Sequence, residues 1–186
     1  MSTHVQLKIP WIFRAVISVV LLGTASGPVA AVTVGQLAPD FIRGGQWFNA
    51  PRLPTIASLR GKVVIVNLWV YSCINCHNSL PTLKRWYKTY KDAGLEIVGV
   101  HTPELASDRP ATNVAAALKA DEIGWPVMQD NASATWNAYA NAYWPTFYLV
   151  DRLGIVRMVY SGEISSRYPQ AIPGLEAELQ KLLAEK

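Results

Sequence analysis

The chain has 186 residues, of which 51% are hydrophobic and 16% are charged, and its formal net charge is +4. This balance excludes an intrinsically disordered chain, and the length is that of one domain able to bury its own core. Lysine and arginine are scattered and form no basic run, so we predict no nucleic-acid partner.

The first part of the chain follows the order of an export signal. Lys8 and Arg14 carry positive charge, an apolar stretch covers residues 15–22, and small residues lead up to Ala31. We expect a signal peptide cleaved after Ala31, with an uncleaved membrane anchor as the alternative, although the apolar run is shorter than the roughly 20 residues of a spanning helix. Either outcome predicts that residues 32–186 work in the periplasm or otherwise outside the cytoplasm.

The remaining elements alternate between strands and helices. An irregular lead-in is followed by two runs of buried strand type, 62–69 and 95–101, and a predicted helix over about 73–93 makes the crossover between them right-handed. The later elements are a helix over 111–123, a short strand over 125–129, a helix over 133–141 capped by Asn131, a hairpin of strands 146–150 and 155–160, and a final helix from Pro173 to Glu185. The sequence therefore predicts an α/β fold with a central mixed sheet flanked by helices, an N-terminal extension and an inserted helical segment.

The two cysteines, Cys73 and Cys76, stand at the start of the first predicted helix. A disulfide across so short a loop adds little stability, so such a pair is typical of redox chemistry. The positive end of the helix favours a thiolate and lowers the pKa of the first cysteine below the ~8.5 of a free thiol. We therefore predict that Cys73 is the nucleophile and Cys76 the resolving thiol of an enzyme that needs no bound cofactor and no metal.

The surrounding residues resemble the active-site segment of the thioredoxin superfamily. A tryptophan, Trp69, lies four residues before the first cysteine, a proline, Pro81, lies five after the second, and Trp144-Pro145 is similar to the family's cis-proline loop. The resemblance implies a thioredoxin-like fold in which Trp144 and Pro145 contact the substrate. It also implies supporting roles for Trp69, Ile74, Asn75, His77 and Pro81.

Longer segments resemble one branch of that superfamily. Residues 38–41 and 59–64 are similar to the TlpA-like and redoxin branch, while 71–76 and 99–104 resemble the thioredoxin-like domain of DipZ-type proteins. This resemblance implies a thiol–disulfide oxidoreductase that reduces cysteine-containing proteins, with disulfide homeostasis or cytochrome c maturation as its setting. It also implies a separate, membrane-bound electron donor. We expect a monomer, although the sequence does not give the oligomeric state.

The chain departs from the family pattern at the proton acceptor. Thioredoxins carry a buried aspartate at the position of Asn67, whose amide cannot relay a proton, and some TlpA-like reductases carry an acid where this chain has Ser79. Glu104, just past the end of a strand, is a candidate acceptor, with a plain surface turn residue as the competing interpretation.

Other functions fit parts of the same motif. Cys73, Cys76 and His77 satisfy the c-type haem attachment pattern, with Met128 or Met158 as the distal ligand. The two cysteines with His77 and His101 supply enough ligands for zinc, although adjacent residues diverge on a helix. A redox-inert binding module with the same fold is a further alternative. The peroxiredoxin pattern fails, because valines occupy its proline and threonine positions, Val66 and Val70.

Overall fold

The structure, a computed structural model, describes residues 1, 32–42 and 45–185. The predicted export signal therefore lies outside the described residues, apart from Met1, and stays a prediction. Among the described residues, no helix has the length and apolar character needed to cross a membrane.

Six strands form one mixed sheet. Its spatial order is β1-β4-β3-β2-β5-β6. β2, β3 and β4 run parallel to one another, whereas β5 lies antiparallel to β2, β6 to β5, and β1 to β4. The strands are β1 (Trp47–Phe48), β2 (Val63–Trp69), β3 (Leu95–His101), β4 (Val127–Gln129), β5 (Thr146–Val150) and β6 (Val156–Ser161). The predicted mixed sheet is confirmed, and the lead-in differs from the prediction only in supplying the short edge strand β1.

Four α-helices accompany the sheet: α1 (Ile74–Tyr90), α2 (Ala111–Ala120), α3 (Ala134–Ala138) and α4 (Ala171–Ala184). α1 continues into a 3-10 turn that ends at Gly94, whose φ of 105° is a conformation that glycine adopts without strain. α2 ends earlier than predicted, and α4 begins two residues before Pro173, which therefore lies inside its first turn.

The core lies on both faces of the sheet. Alternate residues of β2 point to opposite sides, as the period of a strand requires. Val63, Ile65 and Trp69 pack with α1, α2 and α4 on what we call the helix face. Val64, Val66 and Leu68 pack with the lead-in and Tyr139 on the lead-in face. Because β2 is buried on both sides, its sequence is an apolar run interrupted by one residue, Asn67.

The strand directions bring several loops to one edge of the sheet. β2 and β3 are parallel and in register from Val63 to Trp69, so the loops that follow them leave from the same edge. Thr146, the first residue of β5, pairs with Leu68, so the loop that precedes β5 reaches that edge as well. We call this the site edge.

The predicted cap of the third helix is wrong. Asn131 is exposed and its side chain donates to the Arg109 carbonyl, whereas the carboxylate of Asp130 accepts backbone N–H groups of Ala134 and Trp136, each at 2.8 Å. Asp130 is buried and its carboxylate is shielded from water. The backbone N–H groups at the start of α3, which have no partner within the helix, donate to this carboxylate in place of water.

Replacing Asp130 with alanine should lower the free energy of unfolding by about 2–4 kcal/mol, because buried amides lose their acceptor. Asn131→Ala is the matched control and should cost no more than about 1 kcal/mol, since it loses one exposed hydrogen bond. Urea denaturation measures both values. Equal losses from the two variants would show that Asp130 does not hold this helix.

Candidate active site

The cysteine pair lies where β2 delivers the chain to α1. Cys73 is the N-cap residue of α1, and its carbonyl accepts the backbone N–H groups of Cys76 and His77, each at 3.1 Å. Both cysteines are free thiols in this structure; Cys73 is half-buried, and Cys76, one turn further on, is 3% exposed. A partner molecule therefore reaches the first sulfur and not the second.

The two thiols have opposite electrostatic environments. The pKa of Cys73 is lowered to about 6, chiefly by a hydrogen bond from the Cys76 thiol. Burial of the Cys73 sulfur raises this pKa, whereas the backbone N–H groups of Cys76 and Asn75 lower it further. Burial, together with the neighbouring Cys73 sulfur, raises the pKa of Cys76 far above that of an ordinary thiol. At neutral pH the site thus holds a thiolate at Cys73 and a protonated thiol at Cys76, which is the state needed for nucleophilic attack.

The proline loop lies at the same edge of the sheet. The Trp144–Pro145 peptide bond is cis, and the Pro145 carbonyl accepts the Gly162 N–H at 2.9 Å. Trp144 is half-buried and packs against Trp136, with ring centroids 4.2 Å apart and the ring planes tilted by 34°. The structure thus brings the predicted substrate-contacting residues to the edge that holds the cysteine pair, and it presents the neighbouring Tyr143 largely to solvent.

The predicted supporting residues divide into buried and exposed positions. Trp69 is buried behind the pair on the helix face, whereas Ile74 and Asn75 are exposed in the first turn of α1 and Pro81 is exposed further along it. His77 is exposed as well, and its Nδ1 lies 3.5 Å from a carboxylate oxygen of Asp121. His77 is not among the groups that shift the pKa of either thiol.

The positions that bear on proton transfer have distinct surroundings. Asn67 is buried on the helix face, and its Oδ1 has no hydrogen-bond partner in the described part of the chain. Ser79 is buried and joins α1 to the Ile164 amide, so it is a structural link. Glu104 is exposed, and its negative charge raises the pKa of both Cys73 and Cys76, which indicates that the carboxylate lies near the pair.

The residues of the haem and zinc alternatives are not brought together. Met128 is buried on the lead-in face, on the opposite side of the sheet from Cys76, and Met158 is half-buried against the helix face. His101, expected to be an ordinary strand-end residue, is fully buried between the rings of Trp69 and Tyr71. Within residues 32–42 and 45–185, no three histidine, cysteine or acidic side chains are placed to hold a metal ion.

The buried imidazole of His101 makes stability depend on pH. Burial, partly offset by the charge of Asp108, lowers the pKa of His101 to about 4, below its ordinary 6.5. Between pH 6.5 and pH 4 the unfolded chain binds a proton that the folded chain does not. The free energy of unfolding should therefore fall by about 3 kcal/mol as the pH is lowered through this window, and this loss should level off below pH 4.

The variant His101→Phe removes the titration and keeps an aromatic ring against Tyr71. Urea unfolding at several pH values between 7 and 4 should give a flatter pH dependence than that of the wild type. Asn75→Ala, at an exposed position without a titratable side chain, is the control and should keep the wild-type slope. If His101→Phe also kept that slope, the buried imidazole would not be its source.

Sequence reasoning missed one buried group at the site edge. Asp108 lies in a 3-10 turn (Ala106–Asp108) after β3, is fully buried, and accepts the hydroxyl of Ser72 at 3.0 Å. Its partner Ser72 directly precedes Cys73, but Ser72 and Asp108 are 36 positions apart in the chain. No local pattern marks such a contact.

Known proteins are similar to this chain in sequence and in fold. The AhpC/TSA family matches residues 34–159. DipZ of Mycobacterium tuberculosis is 46% identical over 144 residues, which cover 76% of this chain but 21% of DipZ. The thiol–disulfide oxidoreductase ResA of Geobacillus thermodenitrificans is 30% identical over 135 residues, 73% of each chain.

Solved structures confirm the predicted thioredoxin-like fold. A thiol–disulfide isomerase from Corynebacterium glutamicum superposes with a TM-score of 0.67 at 25% identity, covering 80% of this chain and 98% of that one. A thiol:disulfide interchange protein of the thioredoxin family from Chlorobium tepidum TLS has a TM-score of 0.63 at 24% identity, covering 83% and 100%. The chain therefore belongs to the AhpC/TSA family, among its thioredoxin-fold thiol–disulfide oxidoreductases.

Proposed function

We propose that this protein is an extracytoplasmic reductase of protein disulfides, with Cys73 as the attacking thiolate and Cys76 as the resolving thiol. The observation that carries the proposal is the position of Cys73, which caps α1 with a partly exposed side chain one turn before the buried Cys76. In this position the Cys76 thiol and the backbone N–H groups of Cys76 and Asn75 lower the pKa of Cys73 to about 6. A sulfur in this setting is ionised at neutral pH and open to another protein's disulfide.

The exchange proceeds in two steps. The Cys73 thiolate attacks one sulfur of the client disulfide, which forms a mixed disulfide and releases the other client sulfur as a thiolate. Cys73 then carries no negative charge, so two of the causes that raise the Cys76 pKa disappear, and the released client thiolate or the nearby Glu104 takes the proton. The deprotonated Cys76 attacks the Cys73 sulfur, the second client sulfur leaves as a thiolate, and the two electrons lost by the cysteine pair now reside in the reduced client.

The client is an extended stretch of another protein that lies along the Trp144–Pro145 loop. An extended peptide binds such a loop by backbone pairing. The enzyme is regenerated when a separate reduced dithiol, carried by a membrane-bound donor, reduces the Cys73–Cys76 disulfide. The exchange itself involves only sulfur and needs no bound cofactor. The export pattern of the first 31 residues supports a location outside the cytoplasm.

The reducing direction is tested by equilibrating the pair with glutathione and measuring its potential. A value of about −270 mV is expected for a reductase, whereas a value of about −120 mV would identify an oxidase and overturn this direction. Insulin reduction by the wild type, absent in Cys73→Ser, separates either enzyme from a redox-inert binding module. A Soret band on the purified protein would instead establish the haem alternative.

A further inference from the structure

One carboxylate oxygen joins the two loops of the site edge. Oδ2 of Asp108 accepts the backbone N–H of Leu105 at 2.7 Å and that of Glu104 at 3.1 Å, both within its own loop. The same oxygen accepts the hydroxyl of Ser72 at 3.0 Å. Because Ser72 is bonded directly to Cys73, this contact ties the nucleophile's loop to the loop that carries Glu104.

A second tie lies beside the first. The phenol of Tyr71 donates to the Ser107 carbonyl at 2.6 Å, and its ring stacks on His101 with centroids 5.4 Å apart. His101 in turn contacts the edge of the Trp69 ring. Tyr71 and Ser72, the two residues that precede Cys73, are therefore held by the end of β3 and by the loop that follows it.

Burial of the Asp108 carboxylate is unfavourable for the free energy of folding. Asp108 has no exposed surface, forms no salt bridge within the described residues, and its Oδ1 has no hydrogen-bond partner there. Its neighbour His101 is neutral at pH 7, because burial lowers the His101 pKa to about 4. A buried carboxylate without a cation opposes folding, and such costs are concentrated at functional sites.

We propose that Asp108 is a positioning residue for disulfide exchange, which fixes the loop before Cys73 so that the Cys73 sulfur stays beside the backbone N–H groups at the start of α1. The inference rests on the function proposed above. Its effect passes through Ser72, since Asp108 forms no hydrogen bond with the reacting sulfurs in the part of the chain that the structure describes. Loss of the tie lets Cys73 move away from its hydrogen-bond donors, and a small displacement of a reacting group has a large effect on rate.

Four variants test the proposal: Asp108→Ala, Asp108→Asn, Ser72→Ala and, as the control, Ser107→Ala. Asn keeps an oxygen for the same three donors, and Ser72→Ala breaks only the link between the loops. The control removes an exposed hydroxyl that has no hydrogen bond among the described residues. Each variant is measured for insulin reduction, for the pH midpoint of Cys73 alkylation, and for the urea midpoint of unfolding.

We expect Asp108→Ala to reduce insulin about tenfold more slowly or worse, and to have a higher alkylation midpoint than the wild type. Ser72→Ala should shift both readouts in the same direction by less, Asp108→Asn should restore most of the activity, and Ser107→Ala should match the wild type. If Asp108→Ala and Ser72→Ala lowered only the urea midpoint, Asp108 would be merely structural and the proposal wrong. Should Asp108→Ala fail to fold, Ser72→Ala decides alone.

The readouts also separate this proposal from the function on which it rests. A wild type that does not reduce insulin would refute the proposed function, but the alkylation midpoints of the variants would still report whether Asp108 positions Cys73. Unchanged midpoints in an active enzyme would refute only the role of Asp108.

Discussion

Replacing Cys73 with serine should lower the rate of protein-disulfide reduction by at least about three orders of magnitude, equivalent to about 4 kcal/mol of transition-state stabilisation. A serine hydroxyl is not ionised at neutral pH and does not form a disulfide, so the first step of the exchange is lost. Insulin turbidity with dithiothreitol as reductant measures the rate. The variant should remain folded, because the Cys73 side chain is half-buried and lies at a helix end.

The complementary variant Cys76→Ser should behave differently. It retains the attacking thiolate and lacks the resolving thiol, so client proteins should accumulate as mixed disulfides on Cys73. Non-reducing electrophoresis and mass spectrometry identify the trapped sulfur and the client. Accumulation on Cys76 in the Cys73→Ser variant, with none in Cys76→Ser, would reverse the two assigned roles.

Removing the Cys76 thiol should raise the pKa of Cys73 from about 6 towards the ordinary thiol value of 9.0, since the hydrogen bond from Cys76 is the largest cause of the lowered value. At pH 7 this shift converts Cys73 from mostly thiolate to mostly thiol, and alkylation slows accordingly. The change is made as Cys76→Ala, and the pH dependence of iodoacetamide reaction with Cys73 gives the pKa.

Cys76→Ser is the matched control for this pKa shift. A serine hydroxyl still donates a hydrogen bond to the Cys73 sulfur, so its alkylation midpoint should lie closer to the wild-type value than that of Cys76→Ala. If the two variants gave the same midpoint as the wild type, the helix amides alone would account for the reactive thiolate, and the role given to the Cys76 thiol would be wrong.

The parts of the fold that the sequence predicts well are those with a strong local pattern. β3 has the predicted bounds and β2 begins one residue later than predicted. Both are predicted well because a strand buried on both faces is mostly apolar, which gives a strong local pattern. The cysteine pair predicts where α1 begins, and Gly94 predicts where the 3-10 turn after it ends. Both boundaries are set by individual residues whose types are visible in the sequence.

The residues that the sequence analysis assigned wrongly or overlooked share a physical cause. Asn131 and Asp130 are adjacent, and either side chain is able to cap a helix; burial in the folded protein selects Asp130, and burial is not a local property. Asp108 escapes notice for the same reason, since its partner Ser72 lies on another loop. His101 is read as an ordinary strand end, because the packing of Trp69 and Tyr71 around it depends on chain segments that meet only after folding.

The site follows the same division. The cysteine pair, the proline loop and Trp69 are predicted as site residues from sequence because each belongs to a recognisable segment, and the structure places them at the site edge. The size of the pKa shift at Cys73 is not predictable from the sequence. It depends on how close the Cys76 thiol and the Glu104 charge lie to the Cys73 sulfur in the folded protein. The sequence predicts that the pKa of Cys73 is lowered, and the structure supplies its size and its largest cause.

The most direct test of the account is the rate of Cys73 alkylation in the reduced wild-type protein between pH 4 and pH 10, with peptide mass spectrometry to identify the modified sulfur. The account predicts a single accessible thiol at Cys73 that titrates at about pH 6, while Cys76 stays unmodified in the folded protein. A Cys73 that reacts no faster than a free cysteine at pH 7 and titrates near 9 would contradict it.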